Sequence, residues 1–262
     1  QLESNHDITL AEGDLVEAEM LPRRGYLGKM ARVIDNLGPA DAPGAFSALA
    51  LAEFEIRHVF ESDTLAETEG LTVPDTDGRT DLRDIAFVTI DGADARDFDD
   101  AVWAEPDGDG WRILVAIADV AHYVRPGSAL DREARLRGNS VYLPDRVVPM
   151  LPEALSNDLC SLRPNETRAA MVAEIWIDAG GEIQDSRFHR ALIRSSARLT
   201  YDAVQAVHDG TATAADIGIA PAIYDNLAGA WQALGIARAH REPLALNLKE
   251  RRVVLDDDGT PV

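Results

Sequence analysis

From Leu82 onward the chain alternates short apolar runs with polar turns. AFVTI, AVWAE, RILVAIADV, MVAEIWI and RVVLD are rich in β-branched residues and bounded by PDGDG, AGGE and DDDG, which predicts strands joined by tight turns. Three helices are predicted to punctuate them. Ser128 with Asp131 three residues on reads as a capping box opening LDREARLRG, which Gly138 closes. Thr200 with Asp202 opens YDAVQAVHD, which ends at Gly210, and Pro221 suits the first turn of the third helix. There Ile223, Leu227, Trp231 and Leu234, at spacings of 4, 4 and 3, form one apolar face expected to pack on the core, despite the ~1 kcal/mol penalty of Gly235. Upstream, residues 13–36 show two alternating segments around a turn containing Pro22, the pattern of a β-hairpin and of the end of a small barrel. Between Pro39 and Arg79, Phe46, Leu49, Phe54, Ile56 and Phe60 keep helical spacing only in part, predicting a helix and then the polar linker VPDTDGRTD. The pattern is that of a mixed α/β body.

The 262 residues, 46% apolar, suffice for one large domain or one domain and part of another. No apolar run approaches the ~18 residues of a membrane span, since LVAIA ends at Asp119, so a transmembrane protein is excluded. The opening QLESNHDITL lacks an initiator Met, a basic region and an apolar region, and reads as the start of an excised segment without a secretory signal. Cys160, the single cysteine, excludes an intrachain disulfide and a CxxC zinc site, and fits a reducing, cytoplasmic setting.

Charge argues against a nucleic-acid partner when taken alone. With 25 Lys+Arg against 46 Asp+Glu the net charge is −21, which opposes non-specific attraction to phosphates. The deficit thins along the chain, from 6 bases and 16 acids in residues 1–80 to 9 and 11 in residues 181–262. Only Lys29 and Lys249 are lysines, and arginine is the side chain whose planar fork suits phosphate. Arg132, Arg135, Arg137 and Arg146 form one set and Arg187, Arg190, Arg194 and Arg198 another; solvated structural arginines are the favoured reading of both.

One segment has the composition of a reaction centre. TIDGADARDFDDAV, residues 89–102, holds Asp91, Asp94, Asp97, Asp99 and Asp100 between two apolar strand-like runs that tie the carboxylates to a core. Extended backbone would put Asp97 ~20 Å from Asp91, so a shared site requires the loop to fold back, and Gly92 is expected to ease that turn. Two carboxylates ~4 Å apart repel by ~4 kcal/mol at an effective dielectric of ~20. A hard divalent cation removes that cost, and Mg²⁺, an oxygen-seeking ion shared with substrate phosphates, makes the cluster a candidate phosphoryl-transfer or phosphodiester-hydrolysis site. The spacing excludes an EF-hand. By residue chemistry alone, a solvated acidic loop is the commoner alternative.

The same string closely resembles the catalytic motif of the ribonuclease II and ribonuclease R family of hydrolytic 3′-to-5′ exoribonucleases. The resemblance continues through LVAIADVAHYV, GSALDREARLRGNSVYLPDRVVPMLPEALSNDLCSLRPNETR and RSSARLTYDAV, covering most of residues 80–210. It implies a mixed-sheet catalytic domain of RNB type, classed α/β (mixed α+β), preceded by a partial OB-like β-barrel segment. Residues 1–40 would be the tail of a cold-shock domain, residues 41–80 a helical linker, and residues 81–262 the N-terminal part of the catalytic domain. The family's four acidic positions fall on Asp91, Asp97, Asp99 and Asp100, implied to be both catalytic and metal-binding, with Asp94 outside the set. Tyr142 matches the tyrosine that stacks a base near the RNA 3′ end, Arg163 is a candidate phosphate contact with a loop-ordering role as the equal alternative, and LNLKERRVVLDDDG loosely follows a segment leading to the 3′-nucleotide pocket.

The implied cofactor is Mg²⁺, with Mn²⁺ as a substitute, and the implied partner is the 3′ end of single-stranded RNA, with no membrane. The family's arginine-rich phosphate clamp and C-terminal RNA-binding barrel have no counterpart in this sequence, so it is expected to be a fragment with little activity of its own. Two other readings stand beside this one. The first is a non-catalytic RNA- or protein-binding module on the same fold. The second is an Asp-nucleophile phosphatase with VTID as the nucleophile strand, which the resemblance beyond the Asp loop disfavours.

Overall fold

A computed structural model of the chain describes residues 2–3, 8–21, 30–244 and 253–256. In chain order the elements are β1 (Leu2–Glu3), β2 (Asp14–Met20), β3 (Ala31–Pro39), α1 (Ala45–Glu53), α2 (Ser62–Ala66), β4 (Thr80–Leu82), β5 (Val88–Asp91), β6 (Asp100–Asp107) and β7 (Gly110–Ala118). There follow α3 (Val120–Tyr123), α4 (Ala129–Arg137), β8 (Val141–Tyr142), β9 (Val147–Val148), a π-helical turn at Ala154–Leu159, β10 (Thr167–Ile177), β11 (Ile183–Arg194), β12 (Ala197–Thr200), α5 (Tyr201–His208) and α6 (Pro221–His240). None of the described helices is long and apolar enough to cross a membrane.

The chain divides into two compact units. The smaller gathers the described residues of Gln1–Glu61, Ala134–Met150 and Leu248–Val262. In it β2 and β3 pair antiparallel from Asp14↔Pro39 to Met20↔Ala31, the hairpin expected from the sequence, although the Pro22 turn lies outside the described residues. Arg137 donates to the carbonyls of Arg57 and Val59 at 2.6 and 2.8 Å and lies 3.7 Å over the Phe60 ring, so it orders a loop. Of the predicted RVVLD strand, Val253–Asp256 are described and form only an isolated bridge at Leu255.

The larger unit, made from Ser62–Glu133 and Leu151–Asn247, is built on a seven-stranded mixed sheet of order β12-β5-β6-β7-β10-β11-β4. Its outer pairs β12–β5 and β11–β4 are parallel and the rest antiparallel. Period-two burial fixes the register: Leu114, Ala116 and Ala118 of β7 all turn inward, each 5% exposed or less. α6 covers the opposite face of the sheet with Ala230 and Ala233, which pack against Ala104, Ile113 and Ile177.

The expected apolar stripe of α6 is therefore only half correct. Ile223 and Leu227 pack inward, but Trp231 and Leu234 are 62% and 41% exposed. Small residues set the contact instead. A Cβ on Gly229 would fall 2.3 Å from the Trp111 ring, so the helix lies close enough to the sheet for alanines to fill the gap.

Both expected caps form. The Thr200 hydroxyl accepts from Ala203 N at 3.2 Å, and Ser128 Oγ accepts from Asp131 N at 3.1 Å while Asp131 accepts from Gly127 N at 2.9 Å. Cys160 is buried, and burial pushes its thiol up to about 12.

Two buried arginines tie the strands to their connections. Arg79 and Asp119 pair at 2.7 Å with side chains 4% and 0% exposed. Arg168 donates to the carbonyls of Asp158, Ser161 and Thr167 and to the carboxylates of Asp158 and Glu166, and so ties the π-helical turn to β10.

Gly181 gives the sharpest test of this packing. Its φ is +82°, and an added Cβ would lie 2.1 Å from Ala233 O of α6. Gly181→Ala is expected to cost about 2–5 kcal/mol, the left-handed strain plus overpacking. Gly210→Ala, at φ +72° with open space around it, should cost only about 1–2 kcal/mol. Urea midpoints of the two variants check the difference; equal losses would contradict the close approach of α6.

Candidate active site

Asp91 ends β5 and Asp100 begins β6, and these strands are neighbours, so both residues lie at one end of the sheet. The strands share one bridge, Val88↔Val102. Continued three residues, that antiparallel register sets Asp91 opposite Asp99. The intervening chain folds back as the sequence required, turning at Ala93–Asp94, with Ala95 N donating to Gly92 O at 3.3 Å. Gly92 helps differently from the expectation. It is not among the glycines with positive φ; instead its missing Cβ leaves room for Asp94 Oδ1, which would lie 3.1 Å from it.

The loop is held through its main-chain atoms. Ser161 Oγ accepts from Phe98 N at 3.1 Å and donates to Arg96 O at 2.9 Å. Leu162 N donates to Phe98 O at 2.6 Å, and Ala118 N donates to Asp99 O at 2.8 Å. From β12, Arg198 Nη2 donates to Gly92 O at 2.6 Å and to Ala93 O at 2.8 Å, and its guanidinium carbon lies 5.4 Å from the Phe98 ring centroid. These grips come from three separate parts of the chain, β7, the segment after the π-helical turn, and β12, so the loop's shape is a product of the whole sheet.

The electrostatics are those of an uncompensated acidic site. Burial, with the nearby carboxylates of Asp100 and Asp99, holds the Asp91 carboxyl above its ordinary value, against the opposing pull of the Thr89 hydroxyl and, more weakly, of Arg198. Asp91 Oδ2 is buried with no hydrogen-bond partner. Desolvation and the Asp99 carboxylate raise Asp100 as well, even though this residue reaches the surface. Asp99 is exposed and Asp97 half-buried. Among the described residues no group of three or more His, Cys, Asp or Glu side chains is disposed as it stands to hold a metal ion. The donor set nevertheless suits a hard cation: all its ligands are oxygens, one is buried and unpartnered, and the charges repel one another.

The remaining candidates are placed as follows. Tyr142 belongs to the smaller unit, on the two-stranded β8–β9 sheet, and is 65% exposed. Arg163 is bound to the Asp158 carboxylate and lies 3.1 Å from Glu166, an ion-paired cation fixed in the loop before β10. Of the two arginine sets, Arg146 pairs with Asp145 at 2.8 Å, Arg132 with Asp63 at 3.5 Å and Arg187 with Asp185 at 3.4 Å, in keeping with structural roles. LNLKERRVVLDDDG lies mostly outside the described residues. Ser161 and Arg198 were not singled out as loop holders, because their partners lie 63 to 106 residues away in sequence.

Residues 79–262 match the RNB domain family. The chain is 53% identical over 184 residues to ribonuclease R of Acidithiobacillus ferrooxidans, covering 69% of this chain and 42% of that protein. It is 47% identical over 204 residues to ribonuclease R of Escherichia coli strain K12, covering 75% of this chain and 25% of that protein. It thus spans less than half the length of either relative. Among solved structures, Mycoplasma genitalium RNase R in complex with double-stranded RNA superposes with a TM-score of 0.90 at 30% identity, covering all of this chain and 48% of the other. The same enzyme with ribose-methylated single-stranded RNA gives 0.88 at 29% identity, covering 100% and 42%. Yeast Ssd1, described as a pseudonuclease, shares the fold at a TM-score of 0.58 and 18% identity, over 74% of this chain and 26% of its own. With its family match beginning at Arg79 and running through the whole carboxylate loop, the chain belongs to the RNB domain family.

Proposed function

We propose that this chain carries the carboxylate centre of a hydrolytic 3′-to-5′ exoribonuclease, which cleaves the terminal phosphodiester of single-stranded RNA and releases nucleoside 5′-monophosphates. The observation that carries the reading is the closed loop at the sheet end, inside an RNB match, where burial and the neighbouring Asp100 and Asp99 carboxylates raise the Asp91 carboxyl and burial and Asp99 raise Asp100. Asp91, Asp97, Asp99 and Asp100 would hold Mg²⁺, or Mn²⁺ in its place. A bound divalent cation would supply Lewis acidity toward a phosphoryl oxygen and toward the attacking water. The chain's own part is to hold the carboxylates ionised at fixed positions and to orient the RNA end. Tyr142 is assigned to stack a base, which its exposure permits. Arg163 is assigned to the phosphate side, preoriented by Asp158 and Glu166.

Three further assignments belong to this reading. Residues 1–40 are the tail of an OB-like cold-shock domain, residues 41–80 a helical linker, and residues 81–262 the N-terminal part of the catalytic domain. The setting is cytoplasmic, consistent with one buried free thiol. The isolated chain is nearly inactive, because a net charge of −21 leaves few phosphates to be neutralised. The second reading, a non-catalytic RNA- or protein-binding module, is kept because a protein described as a pseudonuclease shares the fold.

Asp99→Asn in the full-length enzyme separates the two. It removes charge at nearly constant shape, so single-turnover cleavage should fall by about a hundredfold or more while RNA affinity stays within about twofold. Unchanged cleavage would remove Asp99 from the chemistry, and the absence of cleavage in the unsubstituted enzyme would favour the binding module.

The raised Asp91 carboxyl predicts a stability effect of definite sign. A carboxyl whose folded pKa exceeds its ordinary 3.8 destabilises the metal-free fold above that folded pKa and costs nothing below 3.8. Asp91→Asn should therefore raise the melting temperature at pH 7 without metal, and the gain should disappear as pH falls below the ordinary carboxylate range. A loss of stability at pH 7 would show that Asp91 is satisfied in the folded state. For the isolated chain, the dependence of RNA binding on salt should be shallow, with a log–log slope smaller in magnitude than about 2. A steep slope with processive degradation would contradict its assigned weakness.

A further inference from the structure

We propose that Arg198 is a positioning residue for the reaction, the latch that holds both ends of the carboxylate loop closed so that Asp97, Asp99 and Asp100 return to Asp91. The proposal rests on the reading of this loop as the reaction centre. Its basis is geometric. β12 runs parallel to β5 with Arg198 paired to Thr89 and Thr200 to Asp91, so Arg198 stands two residues before the level at which β5 ends. From there one guanidinium reaches both loop ends. Nη2 bonds the Gly92 and Ala93 carbonyls, immediately after Asp91, and the guanidinium carbon lies over the ring of Phe98, immediately before Asp99, 5.4 Å from its centroid. Phe98 is itself clasped from the other side, its N by Ser161 Oγ and its O by Leu162 N. The Phe98 segment is thus held between two grips, and only one of them is cationic.

The chemistry favours arginine here for two reasons. Two carbonyls that turn toward one point need a donor with two hydrogens on one nitrogen, and the flat, weakly hydrated guanidinium can meet an aromatic ring at the same time. A positive charge beside the loop also offsets part of the carboxylate repulsion that favours opening, without occupying any carboxylate oxygen. Among the charges acting on Asp91, Arg198 is the one that opposes Asp99 and Asp100. Its Nη2 is spent on the loop, and Nε is buried without a partner.

The test compares Arg198→Met and Arg198→Lys, with Arg198→Gln in reserve should the Met variant not fold. In this chain, which needs no activity for the measurement, amide hydrogen exchange should rise about tenfold in Arg198→Met at Ala118 and Leu162, whose N–H groups close the loop, and stay unchanged at Val172 in β10. In the full-length enzyme the same variant should lose about thirtyfold in kcat with KM and the salt slope of RNA binding unchanged, and Arg198→Lys should recover kcat to within about threefold. Unchanged exchange at Ala118 and Leu162 would overturn the latch. So would a raised KM with a salt slope shallower by about 0.7, the mark of a lost phosphate contact. Raised exchange alongside an unsubstituted enzyme that never cleaves RNA would uphold the latch and reject the exoribonuclease reading instead.

Discussion

The candidate site depends on repulsion among carboxylates that the sheet forces together. β5 delivers Asp91 and β6 begins with Asp100 on adjacent strands, so the loop between them must bring its remaining acids back to the same edge. The Asp99 and Asp100 carboxylates act on Asp91, and Asp99 on Asp100, so that with burial both Asp91 and Asp100 are raised. The loop is held by several bonds drawn from the backbone around it. Ala118, Ser161, Leu162 and Arg198 all bind main-chain atoms. None of these bonds uses up a carboxylate oxygen.

That division of labour accounts for the charge distribution. The net charge is −21, and several of the described arginines that might have offset it locally are engaged within the protein. Arg79 is buried on Asp119, Arg168 on a π-helical turn and its acidic neighbours, and Arg137 on loop carbonyls. Such pairs are costly to break from one side, because an unpaired buried charge remains. Within the larger unit, Arg79 and Arg168 belong to the frame that carries the acidic edge.

What the sequence made legible follows from the range of each interaction. Capping boxes and strand alternation act over a few residues, so Ser128, Thr200 and the β7 periodicity were readable directly. The Asp loop was readable because its motif is contiguous and its resemblance specific. The outward Trp231 was not, since an apolar residue every third or fourth position looks the same whether it or the neighbouring alanines face the sheet; Gly229 against Trp111 decides the matter, and that contact crosses 118 positions. Ser161 and Arg198 stayed hidden for the same reason. Polar residues inside quoted motifs reveal their type, but only the folded chain shows that they hold loop carbonyls and amides.

The account stands on the claim that the gathered carboxylates are a cation site. Calorimetric titration of the 262-residue chain with Mn²⁺ tests it most directly, because it needs neither RNA nor the rest of the enzyme. A single saturable binding event is expected, displaced by excess Mg²⁺ and weakened about tenfold or more by Asp91→Asn. Equal Mn²⁺ binding in the chain and its Asp91→Asn variant, or no binding heat in either, would contradict it.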